Sequence, residues 1–422
     1  MSPSVATKPV SDYPAIPAQE TLAVTAVQAK NASTPERTGS ISAERSYYRP
    51  ELDVLRFFAF LGVFLCHALP GVEFANHSGW ERWAAWTFAN FKASGSFGVC
   101  LFFVLSSFLI TELLMRESHS SGKVDVKAFY IRRILRIWPL YFSFLLFGYI
   151  LGQFAVEWRV GAPRFLAFMA LAGNWYVASF GMTTNPIAPL WSISIEEQFY
   201  LTWPWMARWG GRRAILAMSV FLVPVSWSAV YFLGHLGNRA SEACWYSSFV
   251  QFEFFALGAL AALLLRGRIP SWSLPTRLGM MIVGASLWMM AEAWLHVRWT
   301  TAHSGPTARL IGYQAVGIGC VVLLTAFLGL PGRFVPRSLI YLGKISYGLY
   351  VFHFLWLELT TEVLTRLLST PHGTIQVAIR ALLSMPVELV LTIVTAILSY
   401  KFLEKPFLKL KERFTVIRSR AV

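Results

Sequence analysis

Hydrophobic residues in this chain are gathered into long runs instead of the short periodic stretches of a water-soluble fold. Eleven runs follow residue 50, and most reach the about 17–25 residues that a helix needs to cross a bilayer. They lie at about residues 52–70, 96–115, 138–156, 163–180, 191–207, 214–233, 246–265, 278–296, 309–330, 345–365 and 376–400. This pattern predicts an all-α polytopic membrane protein.

Short loops rich in Arg and Lys separate some of these runs and predict their orientation. Basic clusters lie at residues 116–136, 208–213, 266–277, 333–344 and 401–413. Because cytoplasmic loops carry an excess of Lys and Arg, these clusters are predicted to be cytoplasmic. Arg45 and Arg49 precede the first run, so both termini are predicted to lie on that side as well.

The basic loops also limit the number of crossings. Three apolar runs lie between the clusters at 116–136 and 208–213, and an odd number of crossings cannot join two points on one side. Either 138–156 or 163–180 is therefore re-entrant, or the two together form one interrupted crossing. Non-helical backbone survives at membrane depth only where protein buries it or where it lines a wet cavity. We expect about ten transmembrane helices plus this irregular segment.

Composition agrees with a membrane protein. The 422 residues are 55% hydrophobic and 14% charged, with a mean hydropathy of +0.51, whereas soluble domains carry roughly 25% charged residues. The formal charge of +15 falls in the short loops, which indicates topology and a lipid bilayer partner, and no nucleic-acid partner is expected. The four cysteines show neither metal-ligand nor disulfide spacing, and no metal is expected.

Three regions are predicted along the chain. Residues 1–48 are rich in Ala, Ser, Thr, Pro and Val without sustained periodicity, a composition typical of disorder, so they are expected to form a disordered cytoplasmic tail. The membrane domain is predicted at 49–413, and a short cytoplasmic tail at 414–422. The sequence does not indicate an oligomeric state.

Arg56 and His67 stand out in the first run, ELDVLRFFAFLGVFLCHALP. Eleven positions separate them, which on a helix is about three turns, within about 20° of one face and ~16 Å along the axis. Ionisable groups at such depth are costly and mark a functional site by default. The structural alternative is an interfacial Arg that snorkels and a His that bonds a neighbouring helix.

Arg132, Arg133 and Arg136 cluster in FYIRRILRIWPLYF. Arg is suited to binding phosphate through bidentate hydrogen bonds, so this cluster is predicted to hold a phosphorylated cosubstrate. Ordinary positive-inside charge is the alternative explanation.

The stretch LWSISIEEQFYL predicts a polar stripe on a helix, because Ser192, Glu196 and Tyr200 recur at i, i+4 and i+8. Trp191 is expected at the outer interface. Burying the adjacent carboxylates of Glu196 and Glu197 at this depth is energetically costly unless each pairs with a cation or is protonated. A structural ion pair remains the alternative. Ser106 and Ser107 interrupt another apolar run. His353 lies in ISYGLYVFHF and would, taken alone, be a satisfied bundle histidine.

Taken in order, these stretches resemble the acyltransferase-3 family of integral-membrane O-acyltransferases. The resemblance covers about residues 50–408 and rests on LDVLRFFAFLGVFLCH, LFFVLSSFLI, RRILRIWPLYF, LWSISIEEQFYL, ISYGLYVFH and FLEKPF. It includes the family's Arg, ten residues, His pattern, its Arg-x-x-Arg and its Trp-Ser-x-x-x-Glu. One departure is Ser106-Ser107, where the family usually has Ser-Gly, and this departure concerns the packing of helices at Ser107. The chain resembles the form without a fused extracytoplasmic esterase-like domain.

The resemblance implies transfer of an acyl group, most often acetyl, from cytoplasmic acyl-CoA (acetyl-CoA) to a sugar hydroxyl of a cell-surface or secreted glycan or glycoside. The expected location is the bacterial inner membrane. The implied catalytic residues are His67, Arg56 and Glu196; those for acyl-CoA are Arg133, Arg136 and Arg132; those for substrate are Trp191, Ser192, Tyr200, Ser106 and His353. His67 is expected to act as general base or as acyl carrier, with Glu196 orienting its imidazole.

Two other classes of protein stay open at this stage. A secondary transporter of an anionic solute would also bury Arg, His and Glu, although transporters often show broken helices in both halves and only 138–180 looks broken here. A polyprenol-linked sugar transferase or ligase would place Arg and acids at a membrane mouth, but it would need no thioester.

Overall fold

The computed structural model describes residues 47–71, 78–298, 305–367 and 374–415, and these residues form helices without any strand. The predicted N-terminal tail up to residue 46 and the chain beyond residue 415 lie outside them. The helices are α1 (Pro50–Ala68), α2 (Gly79–Ser94), α3 (Gly98–Ser121), α4 (Val126–Leu151), α5 (Ala162–Met169), α6 (Gly173–Phe180), α7 (Leu190–Leu233), α8 (Ala240–Tyr246), α9 (Ser248–Leu265), α10 (Leu274–Ala293), α11 (Pro306–Phe327), α12 (Arg337–Lys344), α13 (Ser346–Leu367), α14 (Thr374–Ser399) and α15 (Lys405–Lys411).

Every predicted apolar run lies largely in helix, which confirms the all-α polytopic fold. The runs at 191–207 and 214–233 form two helical arms of α7, which meet at a kink at Gly211, where φ is 54°. Seven segments of the described residues are long and apolar enough to cross a membrane: Gly79–Ser121, Val126–Leu151, Leu190–Leu233, Ser248–Leu265, Leu274–Ala293, Pro306–Phe327 and Ile379–Phe414. Helix α1 is not among them, because Glu51, Asp53 and Arg56 place three charges in its first two turns. The number of crossings and the side of the termini stay predictions.

The irregular segment is 162–180. Helices α5 and α6 have eight residues each, about 12 Å of helix, which is too short to cross a hydrocarbon core of about 30 Å. Helix α4, by contrast, continues through Pro139 for 26 residues. At the α5–α6 junction the carbonyl of Leu171 accepts a hydrogen bond of 2.9 Å from the Gln198 side chain. Protein contacts therefore satisfy this backbone, as its position in a bundle requires.

The loops that carry the basic clusters lie together at one end of the bundle, which we call the basic side. Hydrogen bonds link three of these regions: Arg208 donates to the carbonyl of Val124 at 2.8 Å, and the backbone N–H of Gly267 donates at 3.0 Å to Glu112, which lies one turn before Arg116. This common location agrees with the prediction that the clusters face one compartment.

Helices α3 and α9 approach closely at Gly258, which faces Ser107. A Cβ atom at Gly258 would lie 2.1 Å from Ser107 Oγ and 2.2 Å from the carbonyl oxygen of Val104. Ser107 is fully buried. The close contact that the family motif achieves with a glycine after Ser106 is thus achieved here by a glycine on the partner helix, since small residues allow backbones to approach.

Gly258→Ala is expected to destabilise the bundle by about 1–3 kcal/mol, the usual cost of overpacking, because the new methyl group must displace a backbone carbonyl of α3. The measurement is the unfolding temperature of the purified protein in detergent. Adding Ser107→Gly removes one of the two overlaps and should restore part of the loss. Gly279→Ala is the matched control, since a Cβ there meets no atom within 4 Å. Equal unfolding temperatures for the two alanine variants would contradict the prediction.

Candidate active site

A cavity of about 150 Å³ opens at the basic side and runs between α1, α3, α4, α7 and α13. Along α3 its lining extends from Leu113 to Val99, fourteen residues or about 21 Å. The end at the basic side, its mouth, is rich in arginine, whereas hydroxyl and aromatic side chains line the inner end. The cavity therefore reaches well into the membrane domain from one side.

Arg56, Arg133 and Arg136 converge at the mouth. Arg56 forms an ion pair with Asp53 at 3.3 Å, and the Arg133 guanidinium lies 5.5 Å from the centroid of the Tyr200 ring. The Nε atom of Arg133 is buried without a hydrogen-bond partner. In the part of the chain that the structure describes, neither Arg133 nor Arg136 pairs with a carboxylate. Partly desolvated guanidinium groups in this condition are suited to an incoming anion.

Tyr47 lies at the edge of the mouth and adds no negative charge to it. The guanidinium groups of Arg116 and Arg49 lie 4.5 Å and 5.2 Å from the centroid of its ring. Burial, with the nearby Glu112 carboxylate, raises the pKa of Tyr47 to about 12. The phenol is therefore protonated at neutral pH.

Glu196 lies in the middle of the cavity and accepts hydrogen bonds from Ser106 and Tyr200. Further inward, the hydroxyl groups of Ser192 and Tyr350 are 2.8 Å apart. The stripe expected along α7 thus lines one wall of the cavity, and Ser106 of α3 faces it. The neighbouring Glu197 points away and accepts a hydrogen bond of 3.0 Å from Trp138.

His67 and His353 lie beyond the inner end of the cavity and are not part of its lining. Their ring centroids are 5.3 Å apart, and the His353 ring lies 5.5 Å from the ring of Tyr350, which does line the cavity. His353 is fully buried, whereas His67 is exposed near the end of α1 farther from the basic side. The two imidazoles therefore continue the line of the cavity toward the opposite side of the bundle.

Backbone carbonyls determine which nitrogen of each imidazole carries hydrogen. Nδ1 lies 2.9 Å from the carbonyl oxygen of Val63 in His67 and 2.6 Å from that of Tyr350 in His353. Since a carbonyl oxygen can only accept, Nδ1 is the donor in both residues, and Nε2 keeps its lone pair. Nε2 of His353 is buried and has no partner among the described residues.

The predicted site residues fall into three groups. Arg56, Ser106, Arg133, Arg136, Ser192, Glu196 and Tyr200 line the cavity, His67 and His353 lie beyond it, and Arg132 and Trp191 lie outside it. The expectation that Glu196 orients the His67 imidazole is wrong in its geometry, because the Val63 carbonyl occupies Nδ1 and Glu196 bonds two hydroxyl groups instead.

Arg132 and Trp191 have structural neighbours instead of a place in the lining. Arg132 donates to Glu117 at 2.8 Å and to the carbonyl of Phe414 at 2.8 Å. Trp191 is buried, and its ring lies edge-on to Tyr246 with centroids 4.9 Å apart. Trp191 therefore faces neither the cavity nor the outer interface where we expected it, because other aromatic rings bury it. Arg132 lies outside the cavity but lines a recess beside its mouth.

Sequence reasoning missed Tyr350 and Lys411. Tyr350 follows Ser346 by four residues on α13, and both line the cavity, so helical spacing could have identified it. Lys411 lines a recess beside the mouth. No feature of the sequence separates it from Lys405 and Lys409.

The fold and the cavity define a polytopic helical membrane protein with an arginine-rich cavity mouth on its basic side. A family model described as an acyltransferase domain (Acyl_transf_3) matches residues 49–404. Because that match covers most of the chain, the protein belongs to the acyltransferase-3 family.

Several bacterial proteins align with most of this chain. YrhL of Bacillus subtilis is 28% identical over 386 residues, which are 85% of this chain and 55% of YrhL. Peptidoglycan O-acetyltransferase OatA of Listeria monocytogenes is 26% identical over 384 residues (86% and 56%), and O-acetyltransferase OatA of Staphylococcus aureus is 24% identical over 392 residues (86% and 57%). The chain thus spans a little over half the length of these relatives. No solved structure matches it.

Proposed function

We propose that this protein lies in the bacterial inner membrane and transfers an acyl group, most often acetyl, from cytoplasmic acyl-CoA to a sugar hydroxyl of a cell-surface or secreted glycan. Membership of the acyltransferase-3 family supports the reaction class. Relatives named O-acetyltransferases, one of them for peptidoglycan, support a glycan acceptor. The observation that carries the proposal is the deep cavity whose arginine mouth lies on the predicted cytoplasmic side.

The cavity suits a long donor with phosphates at one end and a thioester at the other. Arg133 and Arg136, with Arg56, would bind the phosphates, since buried polar groups need partners and the Arg133 Nε has none in the described protein. The lining along α3 gives about 21 Å for an extended arm. Glu196 and the hydroxyl groups around it would then surround the reacting end.

Acyl transfer forms a bond between the acceptor oxygen and the acyl carbon and breaks the carbon–sulfur bond of the thioester. The acceptor proton leaves with the CoA thiol. His67 suits this chemistry because Nδ1 is the donor to Val63, so Nε2 keeps its lone pair, and because the side chain is exposed near the end of α1 farther from the mouth. It would either remove the acceptor proton as a general base or carry the acyl group transiently on Nε2.

The test is consumption of radiolabelled acetyl-CoA by the purified protein in lipid nanodiscs, with peptidoglycan fragments as acceptor. Release of CoA in equal amount to acetylated glycan supports the proposal. A transporter or a polyprenol-linked sugar transferase would bind or move its substrate without consuming the thioester. Binding of acetyl-CoA without turnover in the presence of a panel of glycan acceptors would contradict a glycan acceptor.

Arg133→Gln and Arg136→Gln are each expected to raise the KM for acetyl-CoA about tenfold or more, with a smaller effect on kcat. A charge-assisted hydrogen bond contributes about 1.5–3 kcal/mol, and each 1.4 kcal/mol is about tenfold in affinity. The matched control is Arg213→Gln, an exposed arginine on the same side of the bundle. An equal rise in KM for the control would indicate a general effect of surface charge and would contradict the assigned contacts.

A further inference from the structure

A second space of about 60 Å³, the recess, adjoins the mouth of the cavity. Arg133 and Arg136 line both spaces, as do two apolar residues of α3. The cavity and the recess therefore meet along a common wall of guanidinium groups. Lys411 and Thr415, from the C-terminal end of the described chain, complete the lining of the recess.

The C-terminal end is bonded to the bundle in a way that forms this recess. Arg132 donates to Glu117 of α3 and to the carbonyl of Phe414, which attaches the turn after α15 to α4. The charges of Arg132 and Glu117 compensate each other within the pair. The contact therefore positions Lys411 without using its ammonium group.

Three cations of the recess remain without a carboxylate partner among the described residues: Arg133, Arg136 and Lys411. Arg133 also contributes the buried, unpartnered Nε. Like charges gathered in a partly buried space repel one another unless an anion joins them. A site of this kind is suited to a dianion with several acceptor oxygens.

We propose that the recess binds a phosphate monoester, separate from the phosphates held at the cavity mouth. Lys411 then makes the protein specific for donors that carry such a monoester. The inference rests on the proposed function and extends it, because the ribose 3′-phosphate of CoA is such a group. One water molecule needs about 10–15 Å³ of comparable space, so the recess has room for a tetrahedral phosphate. The other source of the same chemistry is the headgroup of an anionic lipid.

The experiment compares equilibrium binding of CoA and of dephospho-CoA, which lacks the 3′-phosphate, to the full-length protein in nanodiscs. Lys411→Gln removes the charge and keeps an amide donor. Lys409→Gln is the matched control, because Lys409 is exposed on the same short helix and does not line the recess. Binding is measured in phosphatidylcholine nanodiscs and again with phosphatidylglycerol added. Unfolding temperatures verify that both variants fold.

The wild type is expected to bind CoA about tenfold or more tightly than dephospho-CoA, as one charge-assisted contact implies. Lys411→Gln should remove most of this preference and leave the affinity for dephospho-CoA unchanged, while Lys409→Gln keeps it. If Lys411→Gln weakened the binding of CoA and dephospho-CoA equally, or left the preference for CoA unchanged, the phosphate site would be overturned and the proposed function would not. A preference that disappears only when phosphatidylglycerol is present would show that a lipid headgroup takes the recess, which overturns the donor assignment. Failure of the wild type to bind either ligand overturns the proposed function as well.

Discussion

His67→Ala is expected to lower the kcat of acyl transfer by about 10²–10⁴-fold, the usual contribution of a positioned acid–base group, and to leave the affinity for CoA unchanged within about twofold. The reason is the location of the imidazole. His67 is exposed and its Nε2 keeps its lone pair, but it does not line the cavity that would bind the donor. Turnover and equilibrium binding are measured on the same nanodisc preparation.

His235→Ala is the matched control for this prediction. His235 is also exposed, and its Nδ1 lies 2.8 Å from the carbonyl of Tyr231 four residues earlier, the same local bond that His67 makes with Val63. Loss of that bond alone should therefore cost no activity. A His67→Ala protein that turns over normally, or one that loses CoA binding together with turnover, would contradict the assigned role.

Glu196→Gln is expected to lower kcat by about 10²-fold or more, with little change in the affinity for CoA. Two carboxylates, Glu196 and Asp53, line the cavity within the described chain, and Asp53 is already paired with Arg56. Glu196 therefore supplies the negative charge at the centre of the cavity and receives both hydroxyl protons of Ser106 and Tyr200. An amide would hold these hydroxyl groups less strongly and could not act as a base.

Glu197→Gln separates this role from a general effect of losing a buried carboxylate. Glu197 is adjacent in sequence and more deeply buried than Glu196, but it does not line the cavity and accepts its hydrogen bond from Trp138 of α4. The amide oxygen of Gln can accept the same bond, so turnover should stay within about threefold of the wild type if general acid–base chemistry is absent there. Comparable losses in both variants, measured as kcat at saturating acetyl-CoA, would count against Glu196.

Local patterns predicted the helices well, because an apolar run longer than a bilayer is thick has few alternatives to a helix. They failed where a helix begins before its apolar run. Helix α4 begins at Val126, twelve residues before the apolar run, since the Asp125 side chain caps it by accepting from the Ala128 N–H at 2.9 Å. The basic cluster therefore lies on the first turns of α4 and not in a loop, which is why Arg133 and Arg136 point to one space.

The sequence predicted the part of the candidate site that lies on a single helix. The spacing of Ser192, Glu196 and Tyr200 identified one wall of the cavity, because a period of 3.6 residues is a property of the chain itself. The position of His67 relative to that wall was not accessible, since it depends on how α13 inserts His353 and Tyr350 beside α1. Such long-range packing leaves no periodic signal in one sequence.

The closed inner end of the cavity has an electrical consequence. The rings of Phe60 and Tyr350 flank His353 between the cavity and His67. Moving one elementary charge across a membrane requires or releases about 2.3 kcal/mol per 100 mV. If the donor's phosphates stay at the mouth and the acceptor proton returns to the CoA thiol as the acetyl group passes these rings, the exchange moves no net charge and performs no work against the membrane potential. The thioester would then supply the whole driving force, and a cell whose membrane is depolarised would modify its surface as readily as an energised one.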